Sequence, residues 1–158
     1  MIEILKDLYQ GNREDAINAS HEHLVDYVVY VGQELPLELS HHSPVPIAHI
    51  PLKDGRDNVA KWKLVEETVR TCHNKGKTLV ACRGGISRSP TVILYHILRT
   101  GGFVTNGNLE IEFLGYKGKS NFEAAYKFVK AKIPMFQPER NLLRMIRRRL
   151  EWYGSDLM

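Results

Sequence analysis

The sequence contains only two cysteines, Cys72 and Cys82, among 158 residues. So few cysteines argue against a disulfide-stapled secreted domain and favour a reducing, cytosolic setting. Long apolar runs are also missing, and none approaches the roughly 20 residues of a membrane-spanning helix. The first ten residues lack the basic start and the apolar block of a signal peptide. We therefore expect a cytoplasmic protein without a membrane span.

Repeats, low-complexity stretches and linkers are absent as well, so we expect residues 1–158 to form one domain. The composition, 43% hydrophobic and 25% charged, is typical of a globular protein with a core. The net charge of +4 favours anionic ligands such as phosphate esters, acidic peptides or nucleic acid. Much of the excess lies in the late segment RMIRRRL, whose simplest interpretation is the solvated face of a helix.

Apolar, strand-like segments alternate with amphipathic, helix-like segments along the chain. The predicted strands are Ile2–Ile4, Leu8–Gln10, Asp26–Gly32, Ile47–Pro51 and Thr78–Ala81. The predicted helices are Arg13–Asn18, Asn58–Asn74, Ser87–Thr100, Asn121–Lys130 and Pro138–Tyr153. Leu35–Pro46, with three prolines, is predicted as a loop. This alternation predicts an α/β fold with a central, mostly parallel sheet flanked by helices.

One segment places a cysteine, two glycines and an arginine between a buried strand and a helix. Leu79–Thr91 has the sequence LVACRGGISRSPT, in which Cys82 ends the strand and Arg88 stands at the start of the helix. Backbone N–H groups of such a loop, with the positive helix N-terminus, form a cradle for a phosphate-sized anion. The same field stabilises a cysteine thiolate, and the guanidinium of Arg88 can bind two phosphate oxygens. The segment therefore predicts a nucleophilic cysteine inside a phosphate site.

This segment resembles the His-Cys-x5-Arg-Ser/Thr signature of cysteine phosphatases, and GISRSPT is especially similar to the dual-specificity subgroup. The similarity extends to ILKDLYQGN near the start, to IPLKD, and to NFEAAYKFVKAKIPMFQPERNLLRMI near the end. The resemblance implies a phosphoric monoester hydrolase of the dual-specificity phosphatase fold. It implies attack on phosphorus by Cys82, a phosphocysteine intermediate and its hydrolysis, with no metal and no cofactor.

The resemblance also assigns roles to individual residues. By position, Cys82 is the nucleophile, Arg88 the phosphate clamp and Ser89 the donor to the leaving thiolate. Asp54, at the end of IPLKD, matches the general acid of the family. Asp57, directly before a predicted helix, is instead expected to cap that helix. The loop expected to bind substrate comprises Arg83, Gly84, Gly85, Ile86, Ser87 and Arg88.

Three positions depart from the family pattern. The family has a histidine before the nucleophile that helps to hold the loop and tune the thiol, and Ala81 stands there in this chain. Residues 102–118 have no counterpart in the short members of the family. Within them, Asn106–Gly107 between two apolar runs predicts a β-hairpin insertion. The usual Pro-Asn before the last helix is Pro138–Glu139.

Several phosphorylated molecules are open as substrates. We expect phosphorylated proteins, with phosphotyrosine as the main substrate and phosphoserine and phosphothreonine as further candidates. The reason is that the chain has no room for the long substrate loop of the larger tyrosine-specific domains. The alternatives are phosphoinositides, RNA 5′ phosphates or other small phosphates, and a non-catalytic phosphate-binding module. Only Arg83 adds charge within the loop, which disfavours lipids, and nucleic acid is not favoured as a partner.

Seven histidines raise the question of a metal site. His21 and His23 form an H-x-H pattern, and His41 and His42 are adjacent. No carboxylate or cysteine cluster accompanies them at a zinc-ligand spacing, so no metal is predicted. The sequence carries no indication of the oligomeric state.

Overall fold

The chain is built around a central β-sheet. The computed structural model describes residues 1–41, 43–53, 59–100, 102–105, 108–111, 119–138, 140–141 and 143–144. Within these ranges, five strands form the sheet: β1 (Ile2–Leu5), β2 (Leu8–Gly11), β3 (Tyr27–Tyr30), β4 (Ile47–His49) and β5 (Thr78–Ala81). Their order across the sheet is β1-β2-β5-β3-β4, so β5 lies at the centre.

Most of this sheet is parallel. β1 pairs antiparallel with β2, whereas β2 and β3 both pair in parallel with β5, and β4 pairs in parallel with β3. The predicted mostly parallel sheet is thereby confirmed. Gly11 and Tyr30 both lie opposite Ala81, so the chain leaves β2, β3 and β5 at the same edge. Loops at the carboxyl ends of parallel strands form the ligand sites of open α/β sheets.

Helices cover both faces of the sheet, as predicted. Within the described ranges they are α1 (Arg13–His21), α2 (Leu37–Ser40), α3 (Val59–Lys75), α4 (Arg88–Arg99) and α5 (Lys119–Lys132). Side chains alternate across a strand, so β5 contributes to two apolar clusters. Leu79 and Ala81 pack with residues of α1 and α2, while Val80 and Cys82 pack with residues of α3, α4 and α5.

Two predictions early in the chain differ from the structure. α1 is longer than predicted and ends at His21. A capping box fixes its start, because the Asn12 side chain accepts from the Asp15 N–H while the Asp15 carboxylate accepts from the Asn12 N–H. The predicted loop Leu35–Pro46 contains the four-residue α2. Burial of Leu39 against the sheet stabilises this turn of helix, although the prolines of the segment favour a loop.

The segment after α4 contains the two strands of the predicted hairpin. β6 (Gly102–Thr105) pairs antiparallel with β7 (Asn108–Ile111). β6 packs against α4 and α5. The predicted turn, Asn106–Gly107, and residues 112–118 lie outside the described residues. The two strands pair as the sequence predicts, and the hairpin insertion as a whole stays a prediction.

The predicted closing helices are described in part. α5 contains the predicted helix Asn121–Lys130 and extends beyond it at both ends. Within the predicted helix Pro138–Tyr153, residues 140, 141, 143 and 144 are helical, and positions after 144 lie outside the described ranges. Among the helices that the structure describes, none has both the length and the apolar character of a membrane span.

Candidate active site

Cys82 lies directly after β5, at the carboxyl edge of the sheet, and is almost completely buried. Two hydrogen-bearing groups converge on its sulfur. The Gly85 N–H donates to Sγ over 3.3 Å, and the Ser89 hydroxyl oxygen lies 3.3 Å from Sγ. The sulfur of the predicted nucleophile therefore lies within hydrogen-bonding distance of a loop N–H and of a hydroxyl.

The loop after Cys82 turns several of its carbonyl groups toward the rest of the protein. Three carbonyl oxygens accept hydrogen bonds from outside the loop: Arg83 from the Arg13 N–H at 3.2 Å, Gly85 from Gln10 Nε2 at 2.7 Å, and Ile86 from the Gln137 N–H at 2.7 Å. Across a trans peptide, the next N–H points away from the carbonyl. These contacts therefore direct the N–H groups of Gly84, Ile86 and Ser87 away from the supporting residues, as an anion cradle requires.

Gly85 has a backbone conformation that favours glycine. Its φ is +71°, in the left-handed region. A Cβ at this position would lie 3.1 Å from both the Gly11 carbonyl carbon and the Asn12 nitrogen. A Cβ on Gly84 would meet its nearest neighbour, Ile86, at 3.8 Å, which is ordinary contact. Gly85 is thus the glycine that lets the loop pack tightly against the β2–α1 connection.

The loop surrounds a small pocket beside a larger cleft. Residues 82–88, which include every residue predicted to bind substrate, line a cavity of about 270 Å³. A cleft of about 650 Å³ shares Arg83 and Arg88 with it and is also lined by Arg13 and Tyr30. Burial raises the pKa of the Tyr30 phenol, and the nearby negative charge of Cys82 adds to the rise. The guanidinium groups of Arg83 and Arg88 suit the cleft to an anionic ligand, whereas that of Arg13 is paired with Glu14 and Glu38.

Arg88 begins α4 and reaches back toward the segment after β4. Its Nη1 donates to the Leu52 carbonyl oxygen over 3.1 Å. The backbone of that segment is fixed next to β3, because the Ile50 N–H donates to the Tyr30 carbonyl and the Leu52 N–H to the Val31 carbonyl, each over 3.0 Å. The two acid candidates, Asp54 and Asp57, lie outside the described residues.

Sequence reasoning missed Gln10, a polar side chain that reaches this loop. Ala81, at the position of the family's histidine, is fully buried on the α1 side of the sheet, and a methyl group forms no hydrogen bond. Gln10 on β2 instead donates to the Gly85 carbonyl and to the Ser89 hydroxyl. The sequence did contain an indication that the Gln10 side chain is buried. With Leu8 buried, the alternation of side chains places Gln10, two residues on, on the same inward face.

A nearly buried thiol in an amide-lined loop, followed by a helix that begins with arginine, is the arrangement that the sequence predicts for a cysteine-dependent phosphatase. Comparison with known families agrees with this class. Residues 8–114 match the family model of the dual specificity phosphatase catalytic domain. The chain belongs to this family, which places it among the cysteine-dependent protein phosphatases. The matched segment contains the Cys82 loop and both strands of the hairpin.

Individual relatives are distant in sequence but close in fold. Dual specificity protein phosphatase 8 of Mus musculus is 26% identical over 150 residues, covering 89% of this chain and 19% of the relative. The chain thus spans about a fifth of the length of that curated relative. The crystal structure of human DUSP28 has a TM-score of 0.75 at 19% identity and covers 99% of both chains. The human tyrosine phosphatase-like serine/threonine/tyrosine-interacting protein has a TM-score of 0.71 at 17% identity, covering 97% of both chains.

Proposed function

We propose that the chain hydrolyses phosphotyrosine in phosphorylated cytoplasmic proteins, with phosphoserine and phosphothreonine as further substrates. One observation carries this proposal. The sulfur of Cys82, contacted by the Gly85 N–H and the Ser89 hydroxyl, belongs to a pocket lined by residues 82–88. The sequence also predicts a shallow pocket, because the chain has no room for the long substrate loop of the larger tyrosine-specific domains, and a shallow pocket suits short as well as long phosphorylated side chains. Its size of about 270 Å³ leaves room for a phosphate group.

The first half of the reaction transfers the phosphoryl group to the enzyme. The Cys82 thiolate attacks phosphorus, a P–S bond forms, and the P–O bond to the substrate breaks. The leaving oxygen takes a proton from Asp54, the acid proposed from its position after IPLKD. Loop N–H groups and Arg88 stabilise the negative charge on the other phosphate oxygens. Among the residues that the structure describes, the Arg88 side chain bonds Leu52 through one of its five N–H groups, so the other four can serve the phosphate.

The second half returns the enzyme to its starting state. The Asp54 carboxylate takes a proton from water, the water oxygen attacks phosphorus, and the P–S bond breaks. The electron pair returns to Cys82 Sγ, which leaves as thiolate, and inorganic phosphate is released. The Ser89 hydroxyl, 3.3 Å from Sγ, can donate a hydrogen bond to the sulfur as this charge develops. No metal is needed for either step.

The decisive experiment measures phosphate release from p-nitrophenyl phosphate by the wild type and by Cys82→Ser. We expect the variant to lose turnover while it still binds vanadate, since the loop and Arg88 are unchanged. Turnover above about 1% of wild type in the variant contradicts a covalent mechanism through Cys82. A wild type that binds vanadate without releasing phosphate is instead the non-catalytic phosphate-binding module. Phosphopeptides, phosphoinositides and 5′-triphosphate RNA, assayed side by side, then rank the substrate classes.

A further inference from the structure

Gln10 is a buried polar residue with three hydrogen-bond acceptors around one atom. It lies on β2, and its side chain is 3% exposed. Its Nε2 is 2.7 Å from the Gly85 carbonyl oxygen, 2.9 Å from Ser89 Oγ and 3.2 Å from the Gly11 carbonyl oxygen. A buried amide costs free energy unless it is hydrogen-bonded, so these contacts determine where the side chain sits.

The chemistry of the neighbours fixes which end of the Gln10 amide faces the loop. Carbonyl oxygens only accept hydrogen bonds, so the atom between the carbonyls of Gly85 and Gly11 has to be the NH2 group. An NH2 group has two hydrogens. The two shortest contacts, to the Gly85 carbonyl and to Ser89 Oγ, use both of them. Gln10 is therefore a donor to Ser89, and not an acceptor from it.

This donation determines what the Ser89 hydroxyl can do with its single hydrogen. A lone pair of Ser89 Oγ is occupied by Gln10, so the hydroxyl is free to donate to another atom. Its two acceptors are Cys82 Sγ at 3.3 Å and the Gly11 carbonyl oxygen at 3.4 Å. The Gly11 carbonyl also accepts from the Cys82 N–H at 3.4 Å. The sulfur is the nearer acceptor and, as a thiolate, the charged one.

We propose that Gln10 is a positioning residue that orients the Ser89 hydroxyl toward Cys82 and holds the loop through the Gly85 carbonyl. It supplies from β2 the support that the buried methyl group of Ala81 cannot supply from β5. The proposal deepens the proposed function, since it rests on Cys82 as nucleophile and on Ser89 as donor to the leaving thiolate. Gln10 should therefore affect the hydrolysis of the phosphocysteine more than its formation.

The test compares Gln10→Met with a matched core variant, Leu8→Ala. Methionine keeps the length of the side chain and removes both donors. Leu8 lies on the same strand, packs in the apolar cluster that contains Cys82, and has no polar side-chain atom, so Leu8→Ala reports loss of packing alone. In rapid-mixing assays with p-nitrophenyl phosphate, the rate of the initial burst of p-nitrophenol reports the phosphorylation of Cys82. The steady-state rate reports the hydrolysis of the phosphocysteine. We expect Gln10→Met to slow the steady state by about tenfold, with a smaller effect on the burst.

A double-mutant cycle with Ser89→Ala separates positioning from general stabilisation. Once Ser89 is alanine, Gln10→Met can act only through the Gly85 carbonyl, so it should slow the steady-state rate by clearly less than the tenfold expected with Ser89 present. A second variant, Gln10→Glu, keeps the shape but offers an acceptor to Ser89, which draws the hydroxyl hydrogen away from sulfur. We expect it to be at least as slow as Gln10→Met.

Iodoacetamide alkylation of Cys82 tests the same contact without turnover. We expect the midpoint of its pH profile to move to higher pH in Gln10→Met and Gln10→Glu, and to stay in place in Leu8→Ala. Unchanged alkylation and steady-state rates in both Gln10 variants overturn the proposal, as does a full multiplicative loss in the double variant. If the wild type itself shows no turnover dependent on Cys82, the proposed function fails, while the alkylation profiles still decide whether Gln10 acts on the thiol.

Discussion

His96 Nδ1 and Glu66 Oε1 lie 3.8 Å apart in the core between α4 and α3, and no hydrogen bond joins them. The neighbouring contacts explain why. His73 Nε2 is 2.9 Å from the Lys6 carbonyl oxygen, which can only accept, so Nε2 carries the hydrogen. When His73 is neutral, its Nδ1 accepts from His96 Nε2 at 3.3 Å. The neutral His96 ring then turns a lone pair toward the Glu66 carboxylate.

Acid should therefore destabilise the protein through His96. Burial lowers the pKa of His96 below its ordinary value of 6.5, although Glu66 opposes the shift. Below that pH the unfolded chain binds a proton that the folded chain does not bind. The free energy of unfolding should thus fall as the pH drops below about 6.5, by up to about 1.4 kcal/mol per pH unit.

His96→Gln isolates this contribution, because glutamine keeps a donor toward His73 and does not titrate. Urea unfolding of the wild type and the variant between about pH 7 and pH 5 measures the two slopes. We expect the free energy of unfolding to depend less steeply on pH in the variant than in the wild type. Equal slopes would show that protonation of His96 does not limit stability in acid.

The two loop glycines should respond differently to alanine. Gly85→Ala places a Cβ at a φ of +71° and against Gly11 and Asn12, so we expect a loss of about 1–3 kcal/mol in the free energy of unfolding. Gly84→Ala meets nothing closer than 3.8 Å and serves as the matched control, with a loss below about 1 kcal/mol. Denaturant unfolding of both variants measures the difference. Similar losses would mean that the turn at Gly85 is not the constrained position.

Asp54→Ala should reveal the general acid by its dependence on the leaving group. Hydrolysis of phosphotyrosine needs a proton on the leaving oxygen, so we expect kcat to fall by about 10²–10⁴. The phenol of an activated aryl phosphate leaves without that proton, so kcat/KM for such a substrate, which covers the phosphorylation half alone, should be affected far less. The alkaline limb of the kcat profile should also disappear. Steady-state kinetics on a series of aryl phosphates measure these effects.

Asp57→Ala is the control for that assignment. As a helix cap, Asp57 should affect stability, with a loss of about 0.5–2 kcal/mol in thermal unfolding and a modest kinetic change. If Asp57→Ala shows the leaving-group dependence and Asp54→Ala does not, the two roles are reversed.

The hairpin of β6 and β7 should not take part in the chemistry. α4 separates it from the phosphate loop, and twelve residues of helix span about 18 Å. We expect replacement of Gly102–Gly118 by a short Gly-Ser turn to leave kcat on p-nitrophenyl phosphate within about threefold. Stability can change, since β6 packs against α4 and α5, so circular dichroism has to confirm folding. A hundredfold loss in a folded variant would place the hairpin at the site.

The strand, loop and helix around Cys82 could be predicted because the signals for them are contiguous in the sequence. Within Leu79–Thr91, a buried strand, two glycines and a helix that begins at arginine follow one another without interruption. Each depends on local propensity or periodicity, which a single sequence displays. The same local signals predicted the mostly parallel sheet and the paired strands after α4. Local signals were insufficient at α2, where burial of Leu39 stabilises a turn of helix in a segment with three prolines.

The sequence by itself thus determined the fold class and the local structure of residues 82–88, from Cys82 at the end of a strand to Arg88 at the start of a helix. Only the tertiary structure decided what supports them. Gln10 and Ser89 are 79 positions apart, and Leu52 and Arg88 are 36 positions apart, yet each pair is hydrogen-bonded. Such contacts depend on the order and register of parallel strands, in which β2 and β3 both lie against β5. No local pattern encodes that order, because it results from the simultaneous packing of all layers of the fold.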